Sequence, residues 1–456
     1  MEFDVIILGG GSAGYAAART VQSQGARVAV VDPGPLGGLC ILRGCMPTKT
    51  LLRSSDVMSL MSRAREFGLL PVEARADLAA VIDRKNRLIG EFAQYRVEQL
   101  RDPRFTLIEE RGVFLSPNEV QAGDRRLRAG SIVIATGSVV NWNFDVPGLT
   151  PENCLTSDDA LELTRLPETL IVLGGGAVAL ELAQFYQRLG TRVTLIQRSA
   201  HILSQGDEDL ARPVEARFRE EGMRVFTGTR LLRVENAGNE KRVVFEHEGK
   251  ETSVAAEAVL QALGRRPNVD TLALEKAGVE FDSSQVIVDA EMRTRQRNIF
   301  AVGDVNGLHE IVHIAIEQGE IAGHNIMNPG SPRKYDDRLK ASVVFTDPQV
   351  AGVGLCEKEL RAQGTGYRAA SYPFDDHGKS MCLGEVHGHV KLLADPATGR
   401  LLGGHITGPE AGELIHQLIA VMYFNGTVHD LLKMPFYHPT LSEILTYPAE
   451  ELADIT

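Results

Sequence analysis

Two cysteines five positions apart, Cys40 and Cys45, lie in the stretch Gly37-Gly38-Leu39-Cys40-Ile41-Leu42-Arg43-Gly44-Cys45-Met46-Pro47-Thr48-Lys49, and the helix-like run Thr50-Leu51-Leu52-Arg53 follows. A disulfide between them closes only a small loop, which contributes little stability compared with a long-range bridge. At a helix N-terminus the dipole favours the thiolate, the reactive form of cysteine. The spacing therefore admits a redox pair, two buried apolar cysteines, or half of a metal site. Zinc needs further Cys or His at short spacing. Cys154, Cys356 and Cys382 are scattered singly, and no metal is expected. A second reactive group stands far downstream, in Phe436-Tyr437-His438-Pro439-Thr440-Leu441-Ser442-Glu443. Pro439 is expected to open a helix, with Thr440 and Glu443 as a capping box, which accounts for Glu443 without chemistry. The alternative makes His438 a general acid/base oriented by Glu443. The cysteine pair favours the alternative.

Such groups need a rigid scaffold, and the sequence supplies one twice. Residues 5–8 read as a short buried strand, followed directly by Gly9-Gly10-Gly11-Ser12-Ala13-Gly14. A helical stretch then runs to about Gln24, Gly25 ends it, and a strand over residues 27–31 ends at Asp32. This is GxGxxG in the setting that gives it meaning, strand, glycine turn, helix, strand, acid. Its glycines let the backbone approach a pyrophosphate at the helix N-terminus, and Asp32 is placed to accept hydrogen bonds from a ribose. The blander account is a glycine-rich turn in another α/β fold. Residues 170–196 then align without a gap on residues 5–31: Ile171 with Ile6, Gly174 and Gly176 with Gly9 and Gly11, Ala179 with Gly14, Gln187 with Gln22, Gly190 with Gly25. Two copies at long separation mean two dinucleotides, most simply a flavin and a nicotinamide, not a solenoid.

The copies differ at their acid. Asp32 is matched by Gln197, followed by Arg198. A carboxylate there binds a ribose 2′-hydroxyl and repels a 2′-phosphate, which an arginine would pair. The second site therefore leans to NADP over NAD; the competing account of Arg198 is a solvated surface side chain. Ser131 to Ser138 reads as a buried strand stopped by Gly137, and residues 259–264 parallel it in the second copy. Residues 298–304 read as a buried strand ending in Asp304, placed to meet ribityl or phosphate groups, or else simply an Asp in a strand-ending turn. The segment 54–100 is charged and helical in pattern. After the charged linker Pro332-Arg333-Lys334-Tyr335-Asp336, strands alternate with apolar helices.

Composition sets the outer bounds. A chain of 456 residues, 43% hydrophobic and 24% charged, has room for two to four domains. Its net charge of −12, without a basic block, argues against nucleic acid or acidic membrane surfaces as partners. No apolar run approaches a membrane span. The start, Met1-Glu2-Phe3-Asp4, is expected to enter a strand at once, leaving no room for a signal or transit peptide. Five cysteines do not make a secreted disulfide framework, and the expected location is cytoplasmic.

Together these residues resemble the class I pyridine nucleotide-disulfide oxidoreductases: dihydrolipoamide dehydrogenase, glutathione reductase and mercuric reductase. The resemblance runs through the whole chain, over Gly9 to Gly14 with Asp32, Gly37 to Lys49, Ala135-Thr136-Gly137, Gly174 to Glu181, Gly264-Arg265-Arg266-Pro267-Asn268, Ala301 to Asp304, Phe345-Thr346-Asp347-Pro348, and His438 to Glu443. It implies an α/β fold of two Rossmann-like dinucleotide-binding domains plus a C-terminal α+β dimerisation domain. The expected boundaries are 1–146 for FAD, 147–265 for NAD(P), 266–335 for a central domain completing the FAD site, and 336–456 for the interface.

By the same correspondence FAD meets Gly9, Gly11, Ser12, Ala13, Gly14, Asp32, Gly38, Thr136, Gly137 and Asp304. NADPH or NADH meets Gly174, Gly176, Ala179, Gln197, Arg198 and Gly264. Cys45 faces the flavin and can form a charge-transfer complex with it. Cys40 is the interchange thiol, and Lys49 pairs with Glu181 near the flavin N5. His438 and Glu443 serve the cysteine pair of the other subunit of a homodimer. Ala177 stands where the family often carries an aromatic gate.

Met46-Pro47-Thr48-Lys49 is nearer the lipoamide and mercuric types than the glutathione type, and residues 343–350 and 179–184 look most like mercuric reductase. Mercuric reductases and large thioredoxin reductases carry a C-terminal cysteine pair, which the tail from Thr446 to Thr456 lacks, so mercury is not expected as the main substrate. The expected activity is NAD(P)H:disulfide oxidoreduction of the dihydrolipoamide dehydrogenase kind, on a small disulfide or a protein-bound lipoyl group. The alternatives are a mercuric reductase-like or other NADPH-dependent disulfide or metal reductase and, from another class, a flavoprotein redox sensor without steady turnover.

Overall fold

The computed structural model describes residues 2–71 and 73–454. Met1 of the expected opening strand, Val72 and the last two residues of the tail lie outside the described residues. The chain divides into two compact units. One runs to Thr48 and takes in Asp83–Asn141 and Gly264–Asp336; the other holds Lys49–Ile82, Trp142–Leu263 and the chain from Asp337.

The first unit is built on strands whose residues are apolar on both faces. FDVIIL and VAVV form the strands Phe3–Leu8 and Val28–Val31, nearly every residue buried, the pattern of a parallel sheet covered on both sides. The sheet order is Phe105–Ile108, Val28–Val31, Phe3–Leu8, Arg125–Ile134, Glu119–Ala122, Gly112–Ser116, with Ile299–Ala301 also paired to Arg125–Ile134. The pairs up to Arg125–Ile134 are parallel, whereas the last two strands add antiparallel. Helix Ser12–Gln22 packs closely on helix Val312–Met327. The approach is possible because a Cβ at Gly319 would stand 2.3 Å from the Ala13 carbonyl oxygen.

The second unit repeats the arrangement. Strand Thr169–Leu173 pairs in parallel with Arg192–Ile196 and Ala258–Gln261. The repeat holds to the residue: Val5 faces Val28 in one unit, and Leu170 faces Val193 in the other. Helix Ala177–Leu189 is buried along most of its length and packs with Leu51, Leu52, Leu78 and Ile82. An antiparallel ribbon, Arg230–Ala237, Glu240–His247 and Lys250–Ala256, is attached. From Asp337 the unit holds a five-stranded antiparallel sheet in the order Ala341–Val344, Gln349–Gly354, Leu401–Gly408, His389–Ala394, Arg368–Pro373. Helices Ala411–Tyr423 and Thr446–Asp454 pack on it. No helix among the described residues is long and apolar enough to cross a membrane.

Three local expectations need correction. The strand expected over 131–138 ends at Ile134 and is the last part of the longer strand Arg125–Ile134; Gly137 turns the chain at φ 69°, and Ser138–Val140 pairs separately with Arg265–Pro267. Asp304 lies past its strand, which is only Ile299–Ala301, in a 3₁₀ turn begun by Gly303 at φ 74°. Pro439 does not open a helix. Thr440 is the N-cap of a short 3₁₀ helix, Leu441–Leu445, because Glu443 reaches back to the Thr440 N–H and completes a capping box.

One buried charge cluster ties the second unit together. Lys391, 2% exposed, reaches Asp207 at 2.7 Å, Asp209 at 2.8 Å and Glu357 at 3.1 Å. Burial alone pushes the Asp207 and Asp209 carboxyls up, but the Lys391 ammonium and its hydrogen bonds, with His389 at Asp209, hold both below the usual range. Depressed carboxyls contribute stability above their unfolded pKa and lose it as pH falls through the folded value. Lys391→Met leaves three carboxylates facing one another and is expected to cost about 3–5 kcal/mol at neutral pH. That deficit should shrink in chemical denaturation below about pH 4; a deficit equal at both pH values would contradict this role.

Candidate active site

The first glycine turn is built for close approach. A Cβ at Gly9 would lie 2.3 Å from the Ala135 oxygen, and one at Gly14 would lie 1.8 Å from the Gly9 oxygen. Helix Ser12–Gln22 starts at Gly11 with no side-chain cap, so its first-turn N–H groups remain available to an anion. Gly38, at φ 77°, packs so tightly that its Cβ would stand 2.6 Å from Gly11 Cα. Asp32 is fixed at the strand end, Oδ2 accepting from Gly10 N at 2.6 Å and Oδ1 from Gly34 N at 2.8 Å. Thr136 Oγ1 donates to the Asn268 carbonyl at 2.8 Å. Asp304 Oδ2 accepts from Ser138 Oγ at 2.6 Å, and Arg265 Nε donates to that same hydroxyl at 2.8 Å. An uncapped helix end, a glycine cradle and a carboxylate at the second strand fit the diphosphate and ribose of FAD.

The second turn differs as its sequence requires. Gly174, at φ 122°, leaves its Cβ position 2.4 Å from the Ala262 oxygen, and Gly176 caps its helix without a side chain. Ala179 replaces the third glycine and is fully buried. A Cβ at Gly175 would lie 2.8 Å from the Gln197 carboxamide carbon, so Gln197 fills the place Asp32 takes in the first copy. Arg198 is exposed, and among the described residues its side chain makes no hydrogen bond or ion pair. Gly264, at φ 110°, accepts from Asn141 N at 3.0 Å.

The cysteines lie on two successive helices. Cys40 belongs to Gly38–Arg43, and Cys45 is the first residue of Cys45–Ser62. That helix begins five residues before the run at Thr50, because Pro47 falls in the first turn, where its missing N–H costs nothing. Both cysteines are half-buried. Cys45 thus stands where the dipole of an 18-residue helix favours thiolate. The remaining cysteines differ: burial pushes the Cys154 and Cys356 thiols up to about 11, and Cys382 is exposed.

One turn beyond Cys45, Lys49 Nζ meets Glu181 Oε2 at 2.7 Å. Glu181 is 2% exposed, and its Oε1 accepts from Phe345 N at 2.9 Å. Two more polar side chains share that face of helix Ala177–Leu189, and the sequence reading missed both. Gln184 exchanges hydrogen bonds with the backbone of Asp347, at 2.8 and 2.7 Å. Arg188 pairs with Asp56, Glu221 and Asp347. Their spacing in ELAQFYQRL, i, i+3 and i+7 in an apolar helix, was the available signal. Burial pushes Asp56 up to about 6 against the pull of Arg188. Near the C-terminus His438 Nδ1 lies 2.9 Å from Glu443 Oε1, while Glu443 Oε2 accepts from Thr440 N at 2.8 Å. The Thr440 N–H, then His438, hold the Glu443 carboxyl below its ordinary range. The His438 side chain is 83% exposed, so the ring is fixed on one nitrogen and open on the other.

Two dinucleotide-binding turns, a cysteine pair at a helix start and an oriented imidazole define a flavoprotein disulfide oxidoreductase. The family described as "Pyridine nucleotide-disulphide oxidoreductase" matches residues 3–319, and its dimerisation domain matches residues 340–449. The chain belongs to this family, whose members use FAD and NAD(P)H. It is 32% identical over 429 residues to a mercuric reductase of Staphylococcus aureus, covering 94% of this chain and 78% of that protein. It is 32% identical over 424 residues to a dihydrolipoyl dehydrogenase of Bacillus subtilis, covering 91% of each. The solved HOCl-induced flavoprotein disulfide reductase RclA of Escherichia coli superposes with a TM-score of 0.86 at 26% identity, over 98% of this chain and 99% of that one.

The glycine cradle is open to a direct check. Gly38→Ala forces a side chain into a positive-φ position against Gly11, a backbone cost of about 1–2 kcal/mol before any clash. It should purify with little FAD, read from the flavin-to-protein absorbance ratio. Gly90→Ala, on a helix with open space around it, should keep the full ratio. Normal flavin content in Gly38→Ala would contradict the fit.

Proposed function

We propose that this chain is a homodimeric, FAD-dependent reductase of small disulfides that draws its electrons from NADPH, with the chemistry of the dihydrolipoamide dehydrogenase type. In this reading residues 1–146 and 266–335 hold FAD, 147–265 hold NADPH, and 336–456 form the subunit interface. The observation that carries it is the His438–Glu443 pair, held at 2.9 Å with the ring otherwise open, in a chain that also places a cysteine at a helix start.

FAD, when bound, supplies the two-electron relay between the nicotinamide and the Cys40–Cys45 pair. The chain's own residues do the rest. Reduced Cys40, as thiolate, attacks one sulfur of the substrate; a Cys40–sulfur bond forms and the substrate S–S bond breaks. Its electron pair leaves on the second sulfur, which takes a proton from His438 of the other subunit. Cys45 thiolate then attacks the Cys40 sulfur, re-forming the Cys40–Cys45 disulfide, and the second product thiolate is protonated and leaves. Glu443 holds the His438 tautomer and favours its charged form. With FAD bound, the Lys49–Glu181 pair, 2.7 Å apart, would hold a fixed ammonium by the flavin ring. The odd cysteine count and a catalytic rather than structural pair fit a reducing, cytoplasmic setting. The 32% identity with a mercuric reductase supports metal-ion reduction as a second reading.

His438→Ala should slow disulfide turnover by about 10²–10⁴-fold while flavin reduction by NADPH, followed by stopped flow, stays near normal. Equal slowing of both would place His438 elsewhere. Gln197 and Arg198 predict a preference for NADPH; one charge-assisted contact is worth about 1.5–3 kcal/mol. Steady-state kinetics should show Arg198→Ala losing most of the NADPH-over-NADH ratio in kcat/KM. An unchanged ratio would contradict the assignment.

A further inference from the structure

Helix Leu78–Leu100 carries an arginine, Arg96, that has no ion-pair partner among the described residues. The Arg96 guanidinium lies over the Tyr15 ring, 4.4 Å from its centroid. Nε and Nη1 are buried with no hydrogen-bond partner, and among the described residues Arg96 forms no ion pair. One turn on, Gln99 Oε1 is also buried and unmatched. Two of its three nitrogens have thus lost water without gaining a hydrogen bond, and no counter-charge stands beside them, a cost proteins rarely accept without a use. Burial accordingly pushes its pKa down.

Its surroundings say what the use is. Tyr15 is in the first turn of helix Ser12–Gln22, whose N-cap Gly11 packs against Gly38. Gly38 opens the short helix that holds Cys40 two residues later. Cys40 is within electrostatic reach of Arg96, and so is Arg19, half-exposed on the same helix as Tyr15. Phe92 and Tyr95, on the Arg96 helix, are exposed. In a chain of net charge −12, Arg96 stands near Cys40 among aromatic side chains without a counter-charge, whereas Arg19 is already paired with Glu320.

We propose that Arg96 is a specificity residue of the disulfide site, and that the disulfide reduced here bears a carboxylate which Arg96 binds as the substrate meets Cys40. Tyr15 fixes the guanidinium plane from below, and the incoming carboxylate supplies the counter-charge that the fold omits. The inference rests on the disulfide-reductase reading for its substrate, but the anion site itself can be tested apart from turnover.

The test uses the reduced holoenzyme. Cys40 is alkylated with iodoacetate, which carries a carboxylate, or with neutral iodoacetamide, and modification is followed by mass spectrometry. The iodoacetate-to-iodoacetamide rate ratio should fall about tenfold or more in Arg96→Ala, and less in Arg96→Lys, which keeps the charge. In steady state the kcat/KM ratio for 3,3′-dithiodipropionate over its diamide should fall by a similar factor, through KM. Unchanged ratios in Arg96→Ala overturn the proposal. So does a parallel change in both alkylation rates with a shifted pH midpoint, which would mean that Arg96 serves the Cys40 thiolate alone. Loss of FAD from both variants would assign the guanidinium to the cofactor and overturn it as well. Turnover of neither disulfide, with an alkylation ratio that still depends on Arg96, upholds the anion site and overturns the disulfide-reductase reading.

Discussion

A single buried carboxylate constrains the second unit. Glu181 lies inside an apolar helix, where an isolated charge would be prohibitive. It is tolerated because Lys49 and the Phe345 N–H occupy both its oxygens. Gln184 and Arg188 continue the same stripe to Asp347, Asp56 and Glu221. Three elements distant in sequence are thereby fixed on one helix face: the redox helix, the turn over residues 345–348, and helix Glu208–Glu220 with its following Glu221. Apolar packing tolerates small slips, whereas a stripe of directional hydrogen bonds does not. The helix that begins at Cys45 is held in register by that stripe through Lys49 and Asp56.

Rigid placement matters because the chemistry proposed for the site depends on groups that must not wander. A thiolate at a helix start is favoured by partial charges that fall off within a turn. A general acid must be presented on one nitrogen and oriented on the other. Glu443 does the second while also capping its own 3₁₀ helix, so its structural and chemical accounts are one arrangement. The exposure of His438 fits a group whose substrate side is completed by another subunit, and the dimerisation domain occupies that part of the chain.

Much of this was legible in the sequence, for physical reasons that differ by element. The two glycine turns were legible because strand, glycine, helix and strand follow one another within thirty residues, and the repeat then holds to the residue, Val5 with Val28 and Leu170 with Val193. The start of the redox helix was not, since Pro47 reads as a breaker unless its place in the first turn is known. Pro439 misled in the opposite sense, because the capping box begins at Thr440. The Lys49–Glu181 pair was expected from the family resemblance, but the rest of the stripe was hidden, because Gln184 and Arg188 look like ordinary polar positions until Asp347, more than a hundred residues away, is in place. Arg96 was equally hidden, since an arginine without a partner is a property of the folded chain alone.

The central claim is a division of labour within the cysteine pair, with Cys45 facing the flavin and Cys40 exchanging with substrate. Its most direct test is anaerobic two-electron reduction of the holoenzyme followed by absorbance spectroscopy. The account predicts a long-wavelength thiolate-to-flavin band that disappears in Cys45→Ser and persists in Cys40→Ser. Equal bands in both variants, or a band lost only in Cys40→Ser, would contradict it.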